Sequence, residues 1–138
     1  KEIRENDVAN NVSYIASYSK IRIELIRLQR EIAKNRNVVM DGRDIGSYVL
    51  PNAVVKIFQV ANADERARRR YKENLEKGID CTFDEILENV KKRDYIDSHR
   101  DFSPLKEAKD SIRIDTTYMS IPEVKNTILT IIKDKGIM

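Results

Sequence analysis

The stretch Val38-Val39-Met40-Asp41-Gly42-Arg43-Asp44-Ile45-Gly46 decides how the chain reads. A short apolar run ends in a carboxylate, a glycine, a guanidinium and a second carboxylate. Bounded by turn residues, such a run fits a strand buried on both faces. The charged residues then emerge where the strand ends. In open parallel sheets, ligands bind beyond the carboxyl ends of the strands. Gly42 permits positive φ and close backbone approach. Arg43 offers a planar fork of donors suited to phosphate. Asp41 and Asp44 can hold a hydrated metal ion, accept an amine hydrogen bond, or both. The same residues also suit a surface turn with salt bridges, because Asp-Gly is a common turn signal.

Downstream, Pro51 and Asn52 break the chain before a second apolar run over residues 54–60, whose β-branched content favours a covered parallel strand. Asn62 and Glu65 predict a capped helix reaching about Lys77, which Gly78 ends. Thr82 and Glu85 predict a capping box for the next helix, with Phe83, Ile86, Leu87 and Val90 as its apolar stripe. Residues 111–115 alternate like a short strand. Ser120, Pro122 and Glu123 then start a last helix, with Val124, Ile128 and Ile131 facing inward. Upstream, residues 1–7 read as a charged loop. Val8, Val12, Ile15 and Tyr18 recur at helical spacing, and Ile21, Leu25, Leu28 and Ile32 line one face of a second helix that stops near Asn35. Helices interleaved with short apolar strands indicate an α/β sheet.

The 138 residues suit one domain or a large part of one. Charge is nearly balanced at +3, so a uniformly basic nucleic-acid binder is not implied. One cysteine, Cys81, excludes an intramolecular disulfide framework and fits a reducing compartment, with a structural role for the thiol. No apolar stretch is long enough to span a bilayer. The first residues lack both a signal-peptide core and an initiator methionine, so the start is expected to lie part-way into a longer chain.

Arg93, Asp97 and Arg100 stand at i, i+4 and i+7, which puts them on one helix face if the helix extends that far. They form either a solvated salt-bridge ladder or a row of donors beside an acceptor, suited to a sugar hydroxyl and a phosphate. Arg66 and Arg70, at i and i+4 on a helix that also carries Arg68, Arg69 and Lys72, suit one shared anion. A nucleic-acid backbone would suit the same helix, but no aromatic stacking motif or zinc ligand set accompanies it. His99, the one histidine, reads as exposed near a helix end, and Tyr14, Tyr18 and Tyr71 read as packing.

Taken together, DGRDIGSYVLPNAVVKIF (41–58), ADERARRRYKE (63–73) and KRDYIDSHRDFSPLKEAKDSIRIDTTYMSI (92–121) resemble the bacterial cytidylate kinases, the CMP/dCMP kinases among P-loop nucleoside monophosphate kinases. A weaker likeness extends through residues 8–30. The resemblance implies a three-layer α/β/α fold with a parallel sheet, here incomplete because the first two strands are absent. It implies one incomplete core domain over residues 1–138, with 1–7 as the end of a monophosphate-binding insertion and about 62–100 as lid helices. Ser13, Arg22 and Asp44 match cytosine-recognising positions. Arg93 and Asp97 match positions at the sugar, and Arg43 and Arg100 positions near the nucleotide phosphates. Arg66 and Arg70 fall in the lid, where family arginines clamp ATP, with Arg68 and Arg69 as close competitors. Asp41, Arg43 and Arg93 are the catalytic candidates, and Asp41 is also where a carboxylate acts on Mg²⁺ through water. The implied partners are CMP or dCMP and ATP with Mg²⁺, without nucleic acid or membrane, in the cytoplasm.

The departure is equally clear. The family's glycine-rich phosphate loop is missing, since no G-x-x-x-x-G-K-[ST] occurs and the four glycines are Gly42, Gly46, Gly78 and Gly136. This stretch alone is therefore expected to show weak nucleotide binding and negligible turnover. A non-catalytic nucleotide-binding module and a basic module for RNA or protein are the rivals. In the family's sheet order, 2-3-1-4-5, the missing strand separates the strands matching residues 38–40 and 54–60. Either the missing part exists elsewhere, or those two strands close up, or another copy fills the gap, because unpaired buried edges are costly.

Overall fold

The computed structural model describes residues 6–137, with side chains from Asn11 onward. The loop expected over residues 1–7 lies outside the described residues up to residue 5, and Asn6 and Asp7 already belong to the first helix. The elements are α1 (Asn6–Ile15), α2 (Ser19–Ala33), a π-helical turn (Ile45–Val49), β1 (Ile57–Val60), α3 (Ala63–Glu76), α4 (Phe83–His99), β2 (Ile112–Asp115) and α5 (Ile121–Asp134). This is an α/β arrangement with a small, incomplete parallel sheet.

Local signals decide the helix ends. Asn62 Oδ1 accepts from the Glu65 amide at 2.7 Å, starting α3. Thr82 with Glu85, and Ser120 with Glu123, close reciprocal capping boxes on α4 and α5. Asn35 at φ 57° follows the end of α2, and Gly78 at φ 69° follows α3. Between α3 and α4, Tyr71 meets Phe83 edge to face with centroids 6.3 Å apart.

Among the described residues the sheet has two strands, β1 parallel to β2, with Ile57 opposite Ile112 and Val60 opposite Asp115. Its ladder extends through Ile112 N to Lys56 O at 2.8 Å and Thr116 N to Val60 O at 2.7 Å. The strand expected at residues 38–40 does not form among the described residues. Val39 is fully exposed, and no strand among the described residues pairs with it to accept its amides. The closing-up of residues 38–40 onto 54–60 therefore does not occur in the described structure, and the second apolar run pairs only from Ile57.

The amphipathic readings of α1 and α2 also need correction. Val12, Ile15 and Tyr18 are exposed, as are Ile21, Leu25, Leu28 and Ile32. The residues that α2 buries are Arg22 and Ile26. On α5, Val124, Ile128 and Ile131 are only half-buried. Among the described residues the buried apolar side chains are Ile26, Val49, Ala67, Ile86 and Ile114, fewer than the buried polar ones. The centre is thus organised by ion pairs and hydrogen bonds as much as by apolar contact. No helix among the described residues is long and apolar enough to cross a membrane.

Replacing Thr82 by Ala should lower unfolding free energy by roughly 0.5–2 kcal/mol, read from urea melts, because the first turn of α4 loses its acceptor. Bonds from Thr82 and Ser120 hold the Glu85 and Glu123 carboxyls below their usual value of 4.5. Carboxyls depressed in the folded state stabilise above their unfolded value and lose that contribution as pH falls through the folded one. The thermal midpoint should therefore decline below about pH 4.5, less steeply in Thr82→Ala.

Candidate functional site

The loop after residue 40 is fixed from two sides. Asp44 precedes the π-helical turn, and its carbonyl accepts from Val49 N at 3.1 Å. Arg30 reaches across from α2 and donates Nε to Val49 O at 2.9 Å and Nη2 to Tyr48 O at 2.8 Å. On the other side, Gly46 lies against the Lys56 stem. A Cβ at Gly46 would come within 3.3 Å of Lys56 Cγ, so the close approach suits glycine. Lys56 Nζ in turn donates to Pro51 O at 2.5 Å and pairs with Asp110 at 2.5 Å.

Asp44 is therefore held in the interior, 3% exposed. Its Oδ2 receives an Arg22 guanidinium and the Ser103 hydroxyl, and Arg100 Nη2 stands 3.7 Å from the same oxygen. Among the described residues, no hydrogen bond or ion pair falls on Asp44 Oδ1. Arg100 also faces Asp97 at 3.7 Å and donates Nε to Ser103 O at 2.6 Å. From the exposed side, Arg43 approaches Asp97 at 3.3 Å and Asp94 at 3.8 Å. Arg66 grips Asp94 with two bonds, at 2.9 and 2.5 Å. Arg93 donates a long bond, 3.4 Å, to the buried Ser13 hydroxyl of α1.

Ser13, Arg22, Arg43, Asp44, Arg93, Asp97 and Arg100 thus converge, although they come from two helices, a loop and the end of a third helix. The expected single helix face is corrected in one respect. α4 ends at His99, and Arg100 is an extended cap residue at φ −69°, ψ 143°, so it joins Asp97 by turning back. Asp41 is exposed and outside these pairings. In the structure Arg66 is paired with Asp94, so its guanidinium already has one anionic partner within the chain. Arg70 forms no ion pair among the described residues, but its charge bears on Arg93.

Three contributors escaped sequence reading. Asp94 is the hub between Arg43 and Arg66. Ser103 touches both Asp44 and Arg100, and Arg30 anchors the turn. Asp94 sits in the same motif as Arg93 and could have been paired by charge. Ser103 carried only the signal of a Ser-Pro break. His99 is exposed at the helix end, as expected, and stacks on Tyr95. Cys81 is half-buried and contacts Ile79 O and Asn74. Tyr14 and Tyr18 are exposed and meet chiefly each other, so their expected packing role does not hold.

Charge does not balance in this cluster. Arg22, Arg43, Arg66, Arg93 and Arg100 outnumber Asp44, Asp94 and Asp97 by two. Burial pushes Arg22 below its usual value, and the Arg100 charge adds to that. Arg93 is lowered by burial and then by Arg43. Burial lowers Arg100 too, with Asp97 opposing. Among the described residues, no hydrogen-bond acceptor meets the buried donors Arg22 Nε and Arg100 Nη2. Orphaned buried donors are costly, and an anionic or acceptor-rich ligand relieves them.

For a divalent ion, the described residues gather no set of three His, Cys, Asp or Glu side chains. Asp41 supplies one exposed carboxylate. That donor set fits an ion held mainly by substrate phosphates and water, with one carboxylate beside it.

Asp44→Ala should cost about 3–5 kcal/mol of stability in urea melts, because it leaves Arg22 and Arg100 buried without their shared counter-charge. Arg70→Ala should cost less than about 1 kcal/mol. Equal losses would show that Asp44 does not organise the cluster.

Against known proteins, the chain matches the family model "Cytidylate kinase" over residues 1–134. The cytidylate kinase of Anoxybacillus flavithermus is 50% identical over 133 residues, covering 96% of this chain and 59% of that protein. That of Fusobacterium nucleatum is 55% identical over 127 residues, covering 92% and 58%. That of Leuconostoc mesenteroides is 53% identical over 134 residues, covering 97% and 60%. The chain therefore spans about three fifths of the length of these relatives. With its incomplete parallel α/β sheet of P-loop-kinase type and this match across nearly its whole length, the chain belongs to the cytidylate kinase family.

Proposed function

We propose that the network around Asp44 binds CMP or dCMP, and that this chain is the monophosphate-binding and lid-bearing part of an enzyme phosphorylating it. In that reaction the acceptor's α-phosphate oxygen bonds to the γ-phosphorus of ATP as the bridge to the β-phosphate breaks, giving CDP or dCDP and ADP. The observation that carries this reading is the surplus of guanidiniums, two with orphaned buried donors, around one buried carboxylate. A carboxylate accepts from the cytosine N4 amine, which uracil lacks.

The roles follow from chemistry and position. Asp44, Arg22 and Ser13 hold the base, Asp97 and Arg93 the sugar, and Arg43 and Arg100 the phosphate. Phosphoryl transfer spreads negative charge over equatorial oxygens, so fixed guanidiniums stabilise the transition state without reorganising. Arg43, half outside the cluster, and Arg93, held among the described residues by a long bond, are the catalytic candidates because they can turn to the reacting phosphates. Mg²⁺, when bound with ATP, supplies further neutralisation of the phosphate oxygens, and Asp41 is the carboxylate that would stand beside it. α3 and α4 are read as the lid, residues 1–7 as the end of the monophosphate-binding insertion, and Arg70 as the lid arginine free to meet ATP. Arg66, tied to Asp94, serves the lid by joining α3 to α4.

A basic module for RNA is less well supported. Arg68 and Arg69 pair with Glu65, and Arg69 also donates to the Thr116 carbonyl at 2.6 Å. Much of that helix's positive charge is thus already satisfied within the chain.

Calorimetry of the chain with CMP and UMP tests the reading. CMP should bind weakly but measurably and UMP more weakly, with Arg93→Gln reducing CMP affinity about tenfold through a lost charge-assisted contact. Absent or indiscriminate binding would contradict it. We expect negligible ATP-dependent CMP phosphorylation by the purified chain, because this stretch carries no glycine-rich phosphate loop.

A further inference from the structure

Ser103 has three features that a loop serine does not ordinarily combine. It is 2% exposed, and its backbone sits at φ 53°, a left-handed conformation unusual outside glycine. Its hydroxyl donates to Asp44 Oδ2, while its carbonyl accepts Arg100 Nε at 2.6 Å. The following turn is pinned by Leu105 N donating to Asp97 O at 2.7 Å. One strained residue thus links the carboxylate read as facing the base to the guanidinium read as facing the phosphate. Strain of this kind persists only where the surroundings over-determine it.

We propose that Ser103 is a specificity-determining positioning residue: with Arg22 it occupies Asp44 Oδ2, fixing the carboxylate's rotation so that Oδ1 remains the acceptor for a ligand amine. This rests on the reading of the cluster as a cytosine-monophosphate site. A carboxylate held by one donor can rotate and share either oxygen. Held by two donors on one oxygen, it presents the other in a fixed direction. A direction-fixed acceptor rewards an amino pyrimidine and penalises a keto pyrimidine, whose carbonyl oxygen would face a carboxylate oxygen. Specificity of this kind comes from the repulsive pairing as much as from the attractive one.

Ser103→Ala removes the hydroxyl but keeps the carbonyl that Arg100 uses. Ser103→Gly does the same and also relaxes the left-handed backbone, so it stays folded if the alanine variant does not. Both are titrated with CMP and with UMP by calorimetry, and thermal midpoints are recorded in parallel. The expected result is a loss of about tenfold in CMP affinity with UMP affinity little changed, so that the CMP-to-UMP ratio falls toward unity in both variants. Ser103→Cys, a weak donor of similar shape, should fall between wild type and alanine. A ratio that is unchanged, or equal losses for the two nucleotides, would overturn the proposal and leave Ser103 a purely structural residue. If wild type itself does not bind CMP, the reading of the site fails and this proposal with it. If wild type discriminates and the variants still do, only the proposal for Ser103 fails.

Discussion

The buried carboxylate of Asp44 is the constraint on which the rest depends. Arg22 from α2 and Arg100 from beyond α4 both lie near its Oδ2, and neither guanidinium is more than marginally exposed. Two desolvated cations at close quarters repel, and burial alone disfavours each of them. The single carboxylate offsets both, which ties the second helix to the turn after the fourth. Arg30 and Lys56 then hold the loop that presents it. The remaining mismatch, two more cations than anions and two orphaned donors, is a structural cost that an anionic ligand relieves. Under the proposed reading, stability and binding would be set by the same few groups, as in a site preorganised for charge.

This arrangement also explains why the basic α3 is not one uniform surface. Arg66 joins α3 to α4 through Asp94, Arg68 and Arg69 answer Glu65, and Arg69 reaches the carbonyls after β2. Arg70 alone of these four forms no ion pair among the described residues, and its charge is felt by Arg93. A helix that looks evenly cationic in sequence is divided by its partners into structural charges and one available charge.

What could be read from the sequence follows the range of each interaction. The caps at Asn62, Thr82 and Ser120 were legible because acceptor and amide lie three residues apart. The strand at 38–40 was not, because strand formation is a relation with a neighbour and an apolar run does not reveal whether one is present. The stripe Ile21, Leu25, Leu28 and Ile32 predicted a buried face, yet α2 buries Arg22 and Ile26. Ser13, Arg22, Asp44, Asp97 and Arg100 were legible as a set through the likeness to a family, since spacing alone left a salt-bridge ladder equally open. Ser103 lies 59 residues from Asp44 along the chain, and Asp94 lies 28 from Arg66. Contacts that distant leave no local pattern to read.

The central claim is that the guanidiniums gathered around Asp44 and Asp97 are those that meet a pyrimidine monophosphate. An NMR titration of the arginine Nε–H signals with CMP tests it most directly. The account predicts saturable shifts confined to Arg22, Arg43, Arg93 and Arg100, with Arg68 and Arg69 unmoved. Shifts centred on Arg68 and Arg69, or none at any arginine up to millimolar CMP, would contradict it.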